Sequence, residues 1–536
     1  MSEAPETDAR PTRKGVGLGR SLLAGSVGIF ASRISGLARD VACAWYWGAT
    51  GLCQAAFNVA FAVPNSLRQL FSEGAFTSAF VPMLSERLAT DREEEAWQLA
   101  NRAISVQALA VTAVALLFAG GSGALYCHGG FQTNATTRLT LRILPLLMPF
   151  AILICSAGAF SAILNSLKSF LLPSAIQITL NVVQVAAVIG LAAAGLTNHD
   201  LRALYLFCGA TLAGGAVELL ILLLAARRRG YRYRFRPDWR APEVKELCLR
   251  ILPGVIGAGV MQINSLIDKM FSLYLGSAAI GALNYSHRLV YLPVGIFAVA
   301  MGTVALPALS RAQAKGDEDA IVETFNYAVR TVLFLALPCT LYFAVCGRDV
   351  IALLFERGAF TPGATLYTYW VLLFYLVGMP AFCLAKVATN PFHARKDTKT
   401  PMLVSVVCLL LNTILNAALI LPLGARGLAL STSLCSWLNV AILFTLNRKY
   451  LPSWNLRPIR QGALSLLSLA MIAATGAHLV DAALRPCLPA HPGFLLRALA
   501  VALTFLTTAG VYLGGCLAMQ IPEAQAMIAM LPFQKK

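Results

Sequence analysis

Stretches of about eighteen or more predominantly apolar residues recur along the whole chain, and this recurrence constrains the fold more than any other feature. As a helix rising 1.5 Å per residue, such a stretch crosses the ~30 Å hydrocarbon core of a bilayer. Inside lipid every backbone polar group needs a partner within the protein, so only helices or a closed barrel can span. A barrel would show short alternating segments, which are absent here. Candidate spans fall near 21–47, 52–80, 96–120, 139–165, 172–195, 202–226, 247–275, 279–310, 321–346, 364–391, 401–421, 426–446, 461–482 and 495–518. The expectation is an all-α polytopic membrane protein with about fourteen transmembrane helices. Pro64 and Pro293 interrupt the second and eighth spans, and a broken helix at membrane depth is tolerated only where it lines a cavity or packs in protein. Only 13% of residues are charged, against about 25% in a soluble domain.

The net charge of +18 would suggest nucleic acid in a soluble protein. Here basic residues concentrate in alternate loops, as the positive-inside rule requires. Arg10, Arg13, Lys14 and Arg20 precede the first span, and Arg227–Arg229, Arg232, Arg234 and Arg236 follow the sixth. Arg311, Lys315, Arg395, Lys396, Lys399, Arg448 and Lys449 fall in later even-numbered loops, and Lys535 and Lys536 end the chain. Both termini are therefore expected in the cytoplasm, with residues 1–19 a polar, disordered tail. The 227–236 run is a topology signal that could also meet anionic lipid heads. The 13 cysteines are scattered, without a C-x-x-C pair, and read as small buried hydrophobes.

An internal repeat is visible. Val81-Pro82-Met83-Leu84-Ser85 is echoed by Leu306-Pro307-Ala308-Leu309-Ser310, and at the same offset Asn101 matches Asn326 and Ala103 matches Ala328. Each copy sits in a six-span unit. An even number of spans gives both units one orientation, so a parallel repeat with a binding site between lobes is expected. The division is then 1–19 tail, 20–230 N-lobe, 231–246 basic linker, 247–450 C-lobe, and 451–536 two extra C-terminal spans.

Within the spans, charge stands where lipid should be. A guanidinium at the bilayer centre costs roughly 3 kcal/mol on insertion scales, yet Arg33, Arg39 and Asp40 lie in span one and Arg68 and Glu73 in span two. Arg33 and Asp40, seven residues apart, share a helix face. They offer an internal ion pair, with Arg39 pointing elsewhere unless the helix bends at Gly36. Arg288 in span eight is the second lobe's counterpart. These arginines outnumber the carboxylates, and guanidinium forks suit phosphate oxygens, so the shared space is expected to hold an anion. A second cluster carries oxygen donors suited to a hard cation such as Na⁺ or to interhelical hydrogen bonding: Asn264 and Asp268 on span seven, Asn412 and Asn416 on span eleven, Thr432 on span twelve. Glu218, Lys386 and Arg142 also lie in or near spans, where snorkelling accounts for the last two. No phosphate-binding P-loop and no H-E-x-x-H occur.

Ser32-Arg33-x-x-Gly36-x-x-Arg39-Asp40 resembles a signature of the MurJ/MviN lipid II flippases, and Pro64-Asn65-x-x-Arg68-x-x-x-x-Glu73-Gly74-Ala75-Phe76 a second one. Leu292-Pro293-x-Gly295, Gly302-Thr303 and Asp397-Thr398-Lys399-Thr400-Pro401 continue the likeness. The resemblance implies the multidrug/oligosaccharidyl-lipid/polysaccharide exporter fold, two six-helix lobes plus two helices forming a groove for a polyprenyl tail. It implies flipping of lipid II, an undecaprenyl-diphosphate-linked peptidoglycan precursor, to the periplasmic leaflet of the bacterial inner membrane by alternating access. It implies a transporter rather than an enzyme, with no cofactor required. By motif position Arg33, Arg39, Arg68 and Arg288 would line a cationic central cavity able to bind an anion. Ser32, Asp40, Asn65 and Glu73 would be gate or structural residues. Asp268, Asn412, Asn416 and Thr432 would form a sodium site. Implied partners are lipid II, membrane phospholipid and the cell-wall synthesis and division machinery, without nucleic acid, for a monomer. Four positions depart from the family: Gln54, Ala62, His287 and Tyr291 stand where Asp, Lys, Asp and Glu are common, leaving fewer acids near the arginines. Alternatives are a flippase for another polyprenyl-diphosphate oligosaccharide, a cation-coupled exporter of the same superfamily, a non-transporting scaffold, or a membrane glycosyltransferase, which would want a larger loop domain.

Overall fold

The computed structural model describes residues 13–72, 74–129, 134–451, 454–455, 457–487, 489 and 493–529. Among them there is no strand. The helices are Arg13–Trp47 (α1), Leu52–Phe71 (α2), Ala75–Ala89 (α3), Glu93–His128 (α4), Ala135–Ser166 (α5), Leu171–Ala175 (α6), Gln177–Ala193 (α7), Leu201–Arg228 (α8), Pro242–Leu275 (α9) and Ser277–Pro293 (α10). They continue as Val299–Lys315 (α11), Glu318–Phe355 (α12), Pro362–Leu376 (α13), Met379–Ala388 (α14), Asn390–Ala394 (α15), Lys399–Leu423 (α16), Ala425–Tyr450 (α17), Arg457–Leu484 (α18), Phe494–Ala518 (α19) and Pro522–Ala529 (α20).

Every expected span lies on one of these helices or on a broken pair. Ten are long and apolar enough to cross a membrane by themselves, and two bent pairs bring the number to twelve: α9, broken at residue 253, and α13 with the α14–α15 segment. The other two expected spans fall on α1 and on α2–α3. These are the stretches that carry Arg33, Arg39, Asp40 and Arg68, so polarity lowers their apolar character. Helix α1 already begins at Arg13, within the segment expected to be a disordered tail. No proline after Pro11 stops a helix that propagates back from the apolar run. The rest of that tail lies outside the described residues. The basic linker is shorter than its sequence estimate, because α9 starts at Pro242.

The two proline interruptions behave differently. Pro64 sits inside an unbroken α2, and the break expected there occurs after Phe71 instead. Gly74, with φ 68°, precedes α3. A helix end leaves carbonyls without intrahelical partners, and here a neighbour serves one: Gln107 Nε2 donates to the Phe71 carbonyl, while one turn earlier Cys155 Sγ donates to that of Leu67 at 3.7 Å. Thr77 Oγ1 donates to the Ser72 carbonyl at 3.0 Å. Pro293 does end α10, and a π-helical turn, Val294–Ala298, links it to α11.

The chain divides into two compact units. The first comprises the described residues within Met1–Cys43, Ala56–Thr133 and Arg138–Gln262. Its core packs Phe80, Leu84 and Leu99 with Phe150, Phe160 and Tyr231. The second comprises Ala44–Ala55, Asn134–Thr137 and the described residues from Ile263 on. In it α16 pairs with α17, and α18 and α19 pack on α12, where Tyr512 Oη donates to the Phe334 carbonyl (2.8 Å) and Tyr342 Oη to that of Val501 (3.1 Å). The turn after α1 is embedded in this second unit. Ala359 N–H donates to the Trp45 carbonyl at 2.9 Å. A Cβ placed on Gly281 would stand 1.7 Å from the Ala49 carbonyl oxygen, and one on Gly358 2.3 Å from that of Trp45. Large apolar residues such as Leu117, Leu421, Leu495 and Leu506 are exposed, as expected where lipid is the solvent.

The repeat shows itself in chemistry as well as in helix order. In the first unit Asn101 Oδ1 accepts from Tyr231 Oη (2.9 Å) and from the Arg234 N–H (2.8 Å), just beyond α8. In the second, Asn326 Oδ1 accepts from Trp454 Nε1 (2.7 Å), just beyond α17. Matching asparagines thus anchor the chain just beyond α8 and just beyond α17.

Candidate functional site

In the first unit the polar residues of α1 form a chain of contacts rather than an i,i+7 pair. Arg39 NH2 and Nε donate to Asp40 Oδ1 at 2.7 and 3.1 Å, and its NH1 donates to Asn181 Oδ1 at 3.2 Å. Asn181 Nδ2 donates to Ser35 Oγ (2.9 Å), whose hydroxyl donates to the Ser32 carbonyl (2.9 Å). The expected pairing of Asp40 with Arg33 is therefore corrected: Asp40 is nearly buried against Arg39, while Arg33 is exposed. A long guanidinium can fold back on the adjacent carboxylate once Asn181 of α7 fixes its other edge. Arg68 lies in the last turn of α2, where a cation is favoured by the helix dipole, and its Nε donates to Asn65 Oδ1 at 3.1 Å. Glu73 lies outside the described residues. Asn181 and Gln107 had no sequence signal beyond being amides in apolar helices.

In the second unit α10 carries His287 and Arg288 on its exposed side. His287 stacks on Tyr291 one turn later, with ring centroids 4.0 Å apart, and Tyr291 meets Phe382 at 5.7 Å. The two residues of this helix that depart from the resembled pattern are thus partners in one aromatic stack. Lys269 lies within electrostatic range of Arg288, His287 and Asp268. It adds a cation to this region beside Asp268 in the chain.

The oxygen-donor cluster also forms within the second unit. Asn412 Nδ2 donates to Asp268 Oδ1 at 2.9 Å and to Asn264 Oδ1 at 3.0 Å, and Asn416 Nδ2 donates to Asp268 Oδ1 at 2.6 Å. Ser431 Oγ donates to Asn416 Oδ1. Thr432 instead donates to the Leu428 carbonyl at 2.9 Å, so Ser431 is the hydroxyl of α17 that joins this group. Asn412 and Asn416 are buried, and Asn412 Oδ1 has no hydrogen-bond partner among the described residues. A buried carbonyl oxygen without a donor costs free energy, and a small cation would satisfy it. One carboxylate, two amides and a hydroxyl are a donor set that fits a hard monovalent ion. Among the described residues no group of three His, Cys, Asp or Glu side chains is placed to hold a metal.

Residues 43–485 match the family described as "Lipid II flippase MurJ". A "Probable lipid II flippase MurJ" of Vibrio cholerae serotype O1 is 34% identical over 424 residues, 77% of this chain and 79% of that protein. One from Rhizobium meliloti is 33% identical over 418 residues, 77% of each. Among solved structures, "Lipid II flippase MurJ, inward closed conformation" aligns with a TM-score of 0.74 and 24% identity, over 92% of this chain and all of that one. An inward-facing multidrug resistance MATE family transporter of the MOP superfamily aligns at 0.64 and 12% identity, over 81% of this chain and 98% of that one. These two likenesses speak to fold. With the fold, the arginine motifs and the family match in hand, the chain belongs to the MurJ lipid II flippase family, as an all-helical, multi-pass protein of the bacterial inner membrane that transports rather than catalyses.

Proposed function

We propose that this chain moves lipid II from the cytoplasmic to the periplasmic leaflet by alternating access, with Arg33, Arg39, Arg68 and Arg288 engaging the diphosphate during the cycle. The observation that carries this reading is the imbalance of charge in otherwise apolar helices. Asp40 is committed to Arg39, whereas Arg33 and Arg288 present exposed guanidiniums. Guanidinium forks at membrane depth select phosphate oxygens, while a cation exporter would need free carboxylates there. The diphosphate chemistry is shared by all polyprenyl-diphosphate lipids, and family membership favours lipid II among them.

An inside-negative potential is worth about 2.3 kcal/mol per elementary charge per 100 mV. It favours outward passage of the anionic headgroup and inward return of the emptied, cationic site. Asp268, Asn412, Asn416 and Ser431 would hold Na⁺, which would supply a fixed positive charge and draw α9, α16 and α17 together during resetting. The polyprenyl tail would lie along α18 and α19. Translocation of labelled lipid II in proteoliposomes tests the proposal: a variant carrying Arg33→Ala and Arg288→Ala should lose it. Undiminished translocation by that variant would remove these arginines from the mechanism.

A further inference from the structure

The segment that leaves α8 is not a slack loop. From Tyr231 to Arg236 it lies along the N-terminal part of α4 without regular secondary structure. The N–H groups of Arg234 and Arg236, two residues apart and so pointing the same way, donate to Asn101 Oδ1 and Ser105 Oγ at 2.8 and 2.9 Å. Burial alternates along Tyr231-Arg232-Tyr233-Arg234. Tyr231 is buried against Trp97 and Phe160, Tyr233 meets Phe160, and Arg232 and Arg234 face out. The two acids that follow in the chain, Asp238 and Glu243, both pair with Arg102. What the segment presents is Arg227–Arg229, Arg232, Arg234, Arg236 and Arg240, all exposed, with Phe235 and Trp239 more than half exposed among them.

We infer that this strip is a preformed docking site for anionic phospholipid headgroups of the adjoining leaflet. The segment joins two apolar helices, α8 and α9, so it must lie at the membrane surface. The arginine bias that orients the chain puts it on the cytoplasmic side. Polybasic stretches at that surface attract anionic lipid, and aromatic rings settle at headgroup level. Clamping of the backbone by Asn101 and Ser105 removes much of the ordering cost that a flexible basic loop would face. The site is separate from the arginines proposed to engage the transported lipid and does not depend on that proposal.

Native mass spectrometry of the full-length protein, titrated with phosphatidylglycerol and with phosphatidylcholine, tests the inference. The wild type should retain phosphatidylglycerol preferentially. The triple variant Arg232→Gln/Arg234→Gln/Arg236→Gln should lose about tenfold or more of that affinity with phosphatidylcholine unchanged. Arg227–Arg229 stay in place in this variant to keep the topology signal. The corresponding Arg→Lys variant, which keeps every charge, should fall between the two. Equal retention of both lipids by the wild type, or unchanged phosphatidylglycerol binding by the Gln variant, would overturn the inference. So would displacement by millimolar glycerol phosphate, which would indicate a site for soluble anions, or a strip-dependent doubling of mass, which would assign the strip to a second copy of the chain.

Discussion

Gly281 offers a direct test of how the turn after α1 is seated. In the middle of a helix, Gly→Ala ordinarily stabilises by roughly 0.5–1 kcal/mol, because glycine loses more backbone freedom on folding. At Gly281 the added Cβ would meet the Ala49 carbonyl oxygen at 1.7 Å, its carbon at 2.7 Å and its Cα at 3.2 Å. These are backbone atoms that no rotamer change can move, and overpacking of this kind costs about 1–3 kcal/mol. The clash outweighs the propensity gain, so Gly281→Ala should destabilise by about 1–2 kcal/mol and push the 44–55 turn out of its seat. Gly209 of α8 is the control, since nothing lies within 4 Å of its added Cβ. There the same substitution should be neutral or stabilising. Intrinsic tryptophan fluorescence during heating in detergent reads both variants, and Trp47, buried in the seated turn, reports locally. Gly281→Ala should melt a few degrees lower and show a more solvated tryptophan spectrum. If it melts as high as wild type while Gly209→Ala behaves as expected, the close approach of α10 to Ala49 is wrong.

Four further outcomes follow from the same geometry. Asn101→Ala removes the acceptor of Tyr231 Oη and the Arg234 N–H, at a cost of about 1–3 kcal/mol; trypsin should then cut the 229–241 segment about tenfold faster, and an unchanged rate would show that the clamp is not what orders it. Asn416→Ala leaves Asp268 with one donor fewer and Ser431 with only the Leu428 carbonyl as acceptor; it should lower thermal stability and abolish any stabilisation by NaCl over choline chloride, the readout that separates ion binding from packing. Asp40→Asn keeps the size of the side chain but removes the charge that holds Arg39; lipid II translocation should fall, and normal flux would reduce Asp40 to a dispensable spacer. Trp454→Phe deletes the donor to Asn326 and should loosen the segment before α18, seen as faster amide exchange there but not in the first unit.

Helix positions were legible in the sequence because hydropathy over a span-length window depends on composition alone. Proline was a poorer guide. Pro64 is absorbed within α2, whereas the actual break uses Gly74 and borrows a donor from Gln107, a contact that only tertiary packing can supply. The polar sites show the same division. Residue type and i,i+4 spacing brought Asp268, Asn412 and Asn416 together correctly. The choice between Ser431 and Thr432 turns on about 100° of helix rotation, which the sequence does not encode locally. Likewise Asp40 could meet Arg33 or Arg39, and Asn181, distant in the chain, decides between them. The repeat was the most informative signal, since a bare match of Asn101 to Asn326 proved to be a shared anchoring contact.

The π-helical turn Val294–Ala298 sets a rule about length. It lies between Arg288 and the Leu306-Pro307 motif of α11, in a stretch where each residue contributes about 100° of rotation and 1.5 Å of rise. Substitutions there need only fit their neighbours. A one-residue deletion that restored regular α-helix would turn all of α11 about the axis of α10 and present a different face to α12 and α15, against which it now packs. Relatives of this chain should therefore keep the number of residues across 294–298 constant even where side chains other than Gly295 vary, and a library of single deletions in α10–α11 should find its least tolerant positions there.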